Sequence, residues 1–263
     1  MIDIKSEKEI QIMSAGGKIL AEVLLEVLDH AKPGVSELEL DALAEGLIKE
    51  KGAQAGFKKV KGYHYTICTS TNDVVVHGVP TDYKLKLGDI IGIDCGVYYK
   101  GYYTDMAQTL RVKSQISNLK SQKEDEVDRF LETGRRALDK AIKVAKVGNR
   151  IGHISRTIQD IIEGQGYSVV RSLVGHGVGK RLHEEPEVPG FLVRKIEKTP
   201  KLEHGVTIAI EIIYNMGNPA VVYANNDGWT IKTKDNSLSG LFERTVAITK
   251  KGPIVLTKSN CSL

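Results

Sequence analysis

The apolar positions of the chain change period several times, and each change marks a boundary. After Ser6, the residues Ile10, Met13, Leu20, Leu24, Val27 and Leu28 recur at helical spacing, as on one buried helix face. Ser6 followed by Glu9 is a capping-box pattern, so a helix is expected from Ser6 to the breaker Lys32-Pro33-Gly34. Ser36 and Glu39 repeat the pattern ahead of Leu38, Ala42, Leu47 and Ile48, and Gly52 ends that second helix. Neither helix carries an evident chemical group, and both read as structural.

From Tyr63 the texture becomes β. Residues 65–70 and 74–77 are expected as short strands around a turn at Asn72-Asp73, with Gly78 and Pro80 breaking the second. Residues 90–98 and 102–111 follow as a hairpin turning near Lys100-Gly101. The polar stretch 112–126 reads as a surface loop. Residues 131–147 and 151–165 form a second helix pair, ended by Gly148 and Gly166. Segments 167–174, 206–214, 230–233 and 242–249 complete the strands.

The order repeats: two helices, then strands that carry acids. Lys84, Leu85, Gly88, Ile91, Ile93 and Asp94 recur at equal offsets as Lys201, Leu202, Gly205, Ile208, Ile210 and Glu211. The expected fold is therefore one α+β domain over residues 1–263. It is built as pseudo-twofold halves, about 1–111 and 127–252, joined by the 112–126 linker. A central, mostly antiparallel sheet carries both helix pairs on its outer face and the acids on the other.

Composition narrows the function classes. At 263 residues, with 41% hydrophobic and 27% charged residues, the chain is an ordinary globular one with ample length for a core. A net charge of +4 without a basic run does not argue for a nucleic-acid site. Cys68, Cys95 and Cys261 form no CxxC pair, which fits free thiols in a reducing compartment. No signal-peptide pattern or membrane-length apolar run is seen, so the expected location is the cytoplasm.

The hairpin carries Asp94 and Asp105. An even loop puts both on one sheet face, where they repel; a three-residue loop separates them. Such a pair has a plain reading, two unrelated exposed acids, and a chemical one, a bound cation or shared proton. Glu211 sits in an apolar run where a carboxylate is costly unless paired or metal-bound. Glu243 alternates with Arg244, so the two side chains point to opposite faces and do not pair. His176, enclosed by glycines, is aimed by a sharp turn, although such a histidine is more often structural. His77 ends a strand, and His183 lies in Leu182-His183-Glu184-Glu185-Pro186. His64 is left open. Four carboxylates and one imidazole suffice for two divalent ions if some carboxylates bridge, and this oxygen-rich set suits Mn, Fe, Co or Zn. The glycine-rich Gly175–Lys180 run lacks P-loop spacing, and no GxSxG elbow is present.

With these residues assembled, the chain resembles the type I methionine aminopeptidases of the pita-bread metallopeptidases. The motifs are VVVHGVP (74–80), IDCG (93–96), TDMAQT (104–109), GHGVG (175–179), LHEEP (182–186), DGWTIKTKDNSLSG (227–240) and FERTVAIT (242–249). Each is weak alone, but their order across nearly the whole chain is specific. The resemblance implies that Asp94, Asp105, His176, Glu211 and Glu243 are metal ligands, with Asp105 and Glu243 bridging two ions and a shared hydroxide as nucleophile. It implies that His183 polarises the scissile carbonyl, that His77 holds the peptide amide or assists protonation, and that Glu211 also shuttles protons. Tyr63 or Tyr65, Cys68, Leu182 and Trp229 fall where the family builds its methionine pocket. The implied activity is removal of the initiator methionine from nascent proteins when the second residue is small. The implied setting is a monomer that meets ribosomes transiently. Ile212 stands where many members have proline, which leaves the ligand set intact. A prolidase-like peptidase and a metal-free binding module are the competing readings. The first is disfavoured by the few residues before Asp94, the second by the intact ligand set.

Overall fold

Both capping boxes form and set the first helix pair. Ser6 N donates to the Glu9 carboxylate at 2.8 Å and opens α1, Glu7–His30. Ser36 N donates to Glu39 at 2.7 Å and opens α2, Glu37–Glu50. Each cap stabilises its helix by roughly 1 kcal/mol. The computed structural model describes residues 2–113 and 125–258, so residues 114–124 of the expected loop, and Cys261, lie outside the described residues.

The strands follow in chain order. The first half holds β1 (Gln54–Ala55), β2 (Ile67–Thr71), β3 (Val74–Val76), β4 (Ile90–Tyr99) and β5 (Tyr102–Arg111). Next come α3 (Glu126–Val144) and α4 (Ile151–Glu163), then β6 (Ser168–Val169), β7 (Gly175–Gly177), β8 (Glu184–Val188) and β9 (Thr207–Asn215). The chain closes with β10 (Val221–Tyr223), β11 (Ile231–Thr233), β12 (Ser239–Thr249) and β13 (Gly252–Val255). The main sheet runs β1-β4-β5-β12-β9-β7-β8, with β2, β6 and β13 attached to β4, β9 and β12. A small sheet, β10-β11-β3, stands beside it. Every strand pair among the described residues is antiparallel.

Each helix pair covers half of one sheet face. Leu20, Leu24, Leu40 and Ile48 pack against Ile91, Ile93, Cys95 and Met106 in the first half. Phe130, Leu138, Ile154 and Ile158 pack against Ile208, Ile210, Phe242 and Val246 in the second. The structure thus has the pseudo-twofold α+β architecture of the pita-bread fold. No helix among the described residues is long and apolar enough to cross a membrane.

Several boundaries differ from expectation, and three of them have a clear cause. Helix α3 starts at Glu126, before residue 131, because the Asp125 side chain accepts from Asp128 N at 3.0 Å and caps it. The strand expected over 167–174 shrinks to β6: Val170 still donates to Ile213 O, but the chain then bends away. The strand expected from residue 65 begins at Ile67. Thr66 N and Ile67 N instead donate to Asp41 of α2 at 2.7 and 3.0 Å. Helix α2 therefore does more than cover the sheet: its buried carboxylate fixes the chain just ahead of Cys68.

Candidate metal centre

The hairpin turn is two residues long, Lys100 (φ 47°) and Gly101 (φ 92°), both in the left-handed region of a type I′ turn. An even loop follows, and both acids share a face: Asp94 pairs with Ala107 and Asp105 with Gly96. They are diagonal neighbours.

The other candidates arrive on adjacent strands. Glu243 of β12 lies directly opposite Glu211 of β9. His176 of β7 pairs with Ala209, two residues from Glu211, so it faces the same side. Five neighbouring strands, β4-β5-β12-β9-β7, thus bring Asp94, Asp105, Glu243, Glu211 and His176 onto one sheet face.

The seam between the halves falls between β5 and β12. Among the described residues one backbone pair, Phe242–Gln108, bridges it. Two threonines do the rest. Thr245 Oγ1 accepts from Asp105 N and donates to Asp105 O, both at 2.8 Å. Thr109 Oγ1 donates to Leu241 O at 2.8 Å and accepts from Leu241 N at 2.9 Å. On the opposite face the half-buried Arg244 guanidinium donates to Ala107 O and to the Gln108 side chain.

The electrostatics of this face favour a cation. Burial pushes the Asp94 carboxyl up to about 7. Burial and neighbouring carboxylates push Asp105, Glu211 and Glu243 well above the ordinary range. Burial, aided by the nearby histidines, lowers the His176 imidazole to about 4, so it is neutral. Its Nδ1 lies 2.8 Å from Gly177 O, which makes Nδ1–H the donor and leaves Nε2 with the free lone pair. Nε2 faces Glu211 at 3.4 Å and Asp105 at 4.0 Å.

Asp105, His176 and Glu243 each offer a ligand atom, all within 4.8 Å of one another. Asp94 Oδ1 and Glu243 Oε1 are buried without a hydrogen-bond partner. An orphaned buried carboxylate oxygen is costly, and a divalent ion removes that cost. The donor set therefore fits a divalent metal ion.

A cavity opens over this face, lined by all five of these residues together with His77 and His183. Its apolar wall comes from Tyr63, Cys68, Leu182 and Trp229, and from Phe57 and Val60, which none of the sequence motifs included. Tyr65 is not in the lining; it packs behind Tyr63, ring centroids 6.0 Å apart. Tyr63 faces the cavity and holds its place by donating to Ile67 O at 2.7 Å. Trp229 sits edge-on to Tyr63 at 5.1 Å. Asp227 fixes that residue's backbone, accepting from Trp229 N and Thr230 N at 2.7 and 2.8 Å. His64 is exposed and outside the lining. Phe57 carried no signal in the sequence. A Cβ at Gly96 would come within 2.7 Å of its ring, so the phenyl packs directly against the hairpin backbone.

Comparison with known proteins agrees with this geometry. Residues 11–250 match Metallopeptidase family M24. The chain is 42% identical over 257 residues to a methionine aminopeptidase of Clostridium perfringens, covering 98% of this chain and 99% of that one. The crystal structure of methionine aminopeptidase from Thermotoga maritima superposes with a TM-score of 0.90 at 38% identity, covering 98% of this chain and 100% of the other. The prolidase of Pyrococcus horikoshii is more distant, with a TM-score of 0.75 at 26% identity; the match covers 99% of this chain and 65% of the prolidase. An oxygen-rich buried donor set, the pita-bread sheet and full-length similarity thus lead to one assignment: the chain belongs to metallopeptidase family M24, in its methionine aminopeptidase branch.

Proposed function

We propose that this chain removes the N-terminal methionine from peptides and nascent proteins whose second residue is small, using two divalent ions. The observation that carries the reading is the convergence of four carboxylates, two buried and two half-buried, and a neutral imidazole from five adjacent strands, beneath a cavity walled by apolar side chains. Asp94, Asp105, His176, Glu211 and Glu243 would hold the ions. Bound there, the ions supply Lewis acidity and a nucleophile derived from water at neutral pH.

The chain's own groups do the rest. Phe57, Tyr63, Cys68, Leu182 and Trp229 take the methionine side chain, which is apolar and unbranched. The flexible thioether suits a wall of aromatic edges. His183 donates to the scissile carbonyl oxygen as charge develops on it, and His77 holds the peptide amide. Glu211 passes a proton toward the leaving amine. The site operates in the cytoplasm on chains emerging from the ribosome.

The deciding experiment loads the purified protein with Mn, Co, Fe or Zn and offers Met-Ala-Ser, Met-Leu-Ser and Xaa-Pro peptides. Release of methionine from Met-Ala-Ser alone is the expected result. Cleavage confined to Xaa-Pro peptides would move the chain to the prolidase reading, and no cleavage with any metal would defeat the proposal.

A further inference from the structure

Lys5 looks in the sequence like one more surface lysine of MIDIKSEKEI, yet it is buried, at 3% exposure. Its ammonium donates to Glu184, and both side chains are 2% exposed. A buried ion pair is weak evidence for stability, since desolvation offsets most of the attraction. Its geometry is more telling. Glu184 directly follows His183 in the chain. Its second carboxylate oxygen accepts from Arg181 N at 3.0 Å, so one carboxylate closes the loop that carries His183.

Lys5 holds that carboxylate from a fixed base. Its own N–H donates to Gly205 O at 2.8 Å. Its stem crosses the loop at Gly179, where an added Cβ would lie 2.3 Å from Lys5 Cε. Gly179 O in turn accepts from Tyr103 N at 2.7 Å, two residues from Asp105. A second tie runs alongside: Glu9 accepts from Tyr102 Oη at 2.7 Å and faces Lys180 Nζ at 3.4 Å. The loop between β7 and β8 has little ladder pairing of its own, yet His183 must stand against His176, ring centroids 4.4 Å apart.

We propose that Lys5 is a positioning residue for the reaction: through Glu184 it pins the 179–184 loop and so sets where the His183 imidazole meets the substrate. This rests on the role of His183 given above. Removing the ammonium leaves Glu184 buried and unpaired. The carboxylate then turns toward water, and the neighbouring imidazole moves with it. A displacement of about 1 Å at a reacting group costs on the order of a hundredfold in rate.

The test is a double-mutant cycle on Mn-loaded enzyme, with Lys5→Met, His183→Ala and the pair, assayed on Met-Ala-Ser. Lys5→Met is expected to lower kcat by about ten- to a hundredfold with KM changed less than about threefold. Calorimetric Mn binding should match wild type. In the His183→Ala background the same substitution should cost less than about twofold, because there is no imidazole left to position. Equal losses in both backgrounds, wild-type turnover, or a parallel loss of Mn binding would each overturn the proposal. If Lys5→Met does not fold, Lys5→Met/Glu184→Gln removes the unpaired charge. Turnover of that double variant equal to that of Glu184→Gln alone and well below wild type then supports the proposal, and wild-type turnover, or a further loss beyond Glu184→Gln alone, refutes it. Wild-type enzyme that leaves Met-Ala-Ser intact would defeat the functional reading before Lys5 enters.

Discussion

Glu211 and Glu243 face each other directly across the β9–β12 ladder, both pointing away from the helix-covered side of the sheet. Like charges directly opposite destabilise a sheet. Glu243 is buried and Glu211 half-buried, and both carboxyls are pushed well above the ordinary range by desolvation and neighbouring carboxylates. The relationship is unfavourable without a cation between them. Glu243→Gln is therefore expected to raise the thermal midpoint of the metal-free protein at pH 8 by about 2–6 °C, the shift that roughly 1–2 kcal/mol makes in a domain of this size. The same variant should lose at least about tenfold in Mn affinity by calorimetry, since it removes an anionic oxygen from the proposed site. A lower metal-free midpoint would show that the carboxylate stabilises the sheet by some other means.

The metal-free protein should also respond to pH in the sense opposite to ordinary acid denaturation. Asp94 moves from 3.8 in the unfolded chain up to about 7 on folding, driven by burial. The folded state therefore binds more protons between these values, and stability falls as pH rises through that window. Asp105, Glu211 and Glu243 are shifted in the same direction and reinforce the slope. The midpoint of chelator-treated protein is expected to drop between pH 5 and pH 8, and Mn added at pH 8 should restore it. A flat or rising profile in chelator would contradict the burial of these groups.

How much of this was legible in the chain depends on the range of the interaction. Ser6–Glu9 and Ser36–Glu39 are contacts within one turn, so their spacing revealed both helix starts. The Asp94–Asp105 relation needed only the parity of a two-residue turn. The repeat ending in Asp94 and Glu211 pointed to the sheet centre because both halves use the same strand. What stayed hidden was set by distant partners. Ile67 begins its strand where it does because Asp41, on another element, takes the preceding N–H groups. Phe57 joins the cavity because Gly96 leaves it room. Tyr63 and Tyr65 are chemically alike and differ only in which side of the segment faces the hairpin. Lys5 carried no signal, since a lysine among polar neighbours looks the same whether its ammonium meets water or Glu184.

The seam between the halves predicts that Thr245 matters more than a buried threonine ordinarily does. Its hydroxyl both donates to and accepts from the Asp105 backbone. Thr245→Val keeps the shape and leaves a buried N–H and C=O unpaired. A loss of roughly 2–3 kcal/mol is expected from denaturant unfolding of metal-free protein. Because the freed backbone carries Asp105, Mn affinity should fall as well, and Thr245→Ser should recover both. Full metal affinity in Thr245→Val would mean that the ladder holds Asp105 without the threonine.

His77 sits in the left-handed region, φ 55°, a conformation that costs a non-glycine residue about 1–2 kcal/mol. The neighbouring glycine explains why the strain persists: a Cβ on Gly78 would come within 1.9 Å of Thr69 O, so the chain must pass close under β2 at that point. Thr69 N donates back to Gly78 O at 2.8 Å, and Val79 N is held by Thr230 Oγ1 at 3.2 Å. The turn thus projects the imidazole into the cavity at the expense of backbone ease. His77→Asn separates the two effects, because asparagine tolerates the left-handed region and lacks the imidazole. Its midpoint should stay within about 3 °C of wild type, a shift of no more than roughly 1 kcal/mol, while kcat falls by about a hundredfold or more. Gly78→Ala should behave in the reverse order. It keeps every functional group but forces β2 and the turn apart, so the midpoint drops by several degrees and KM and kcat worsen together. If His77→Asn lost stability as Gly78→Ala does, the imidazole would be packing the turn and not serving the substrate.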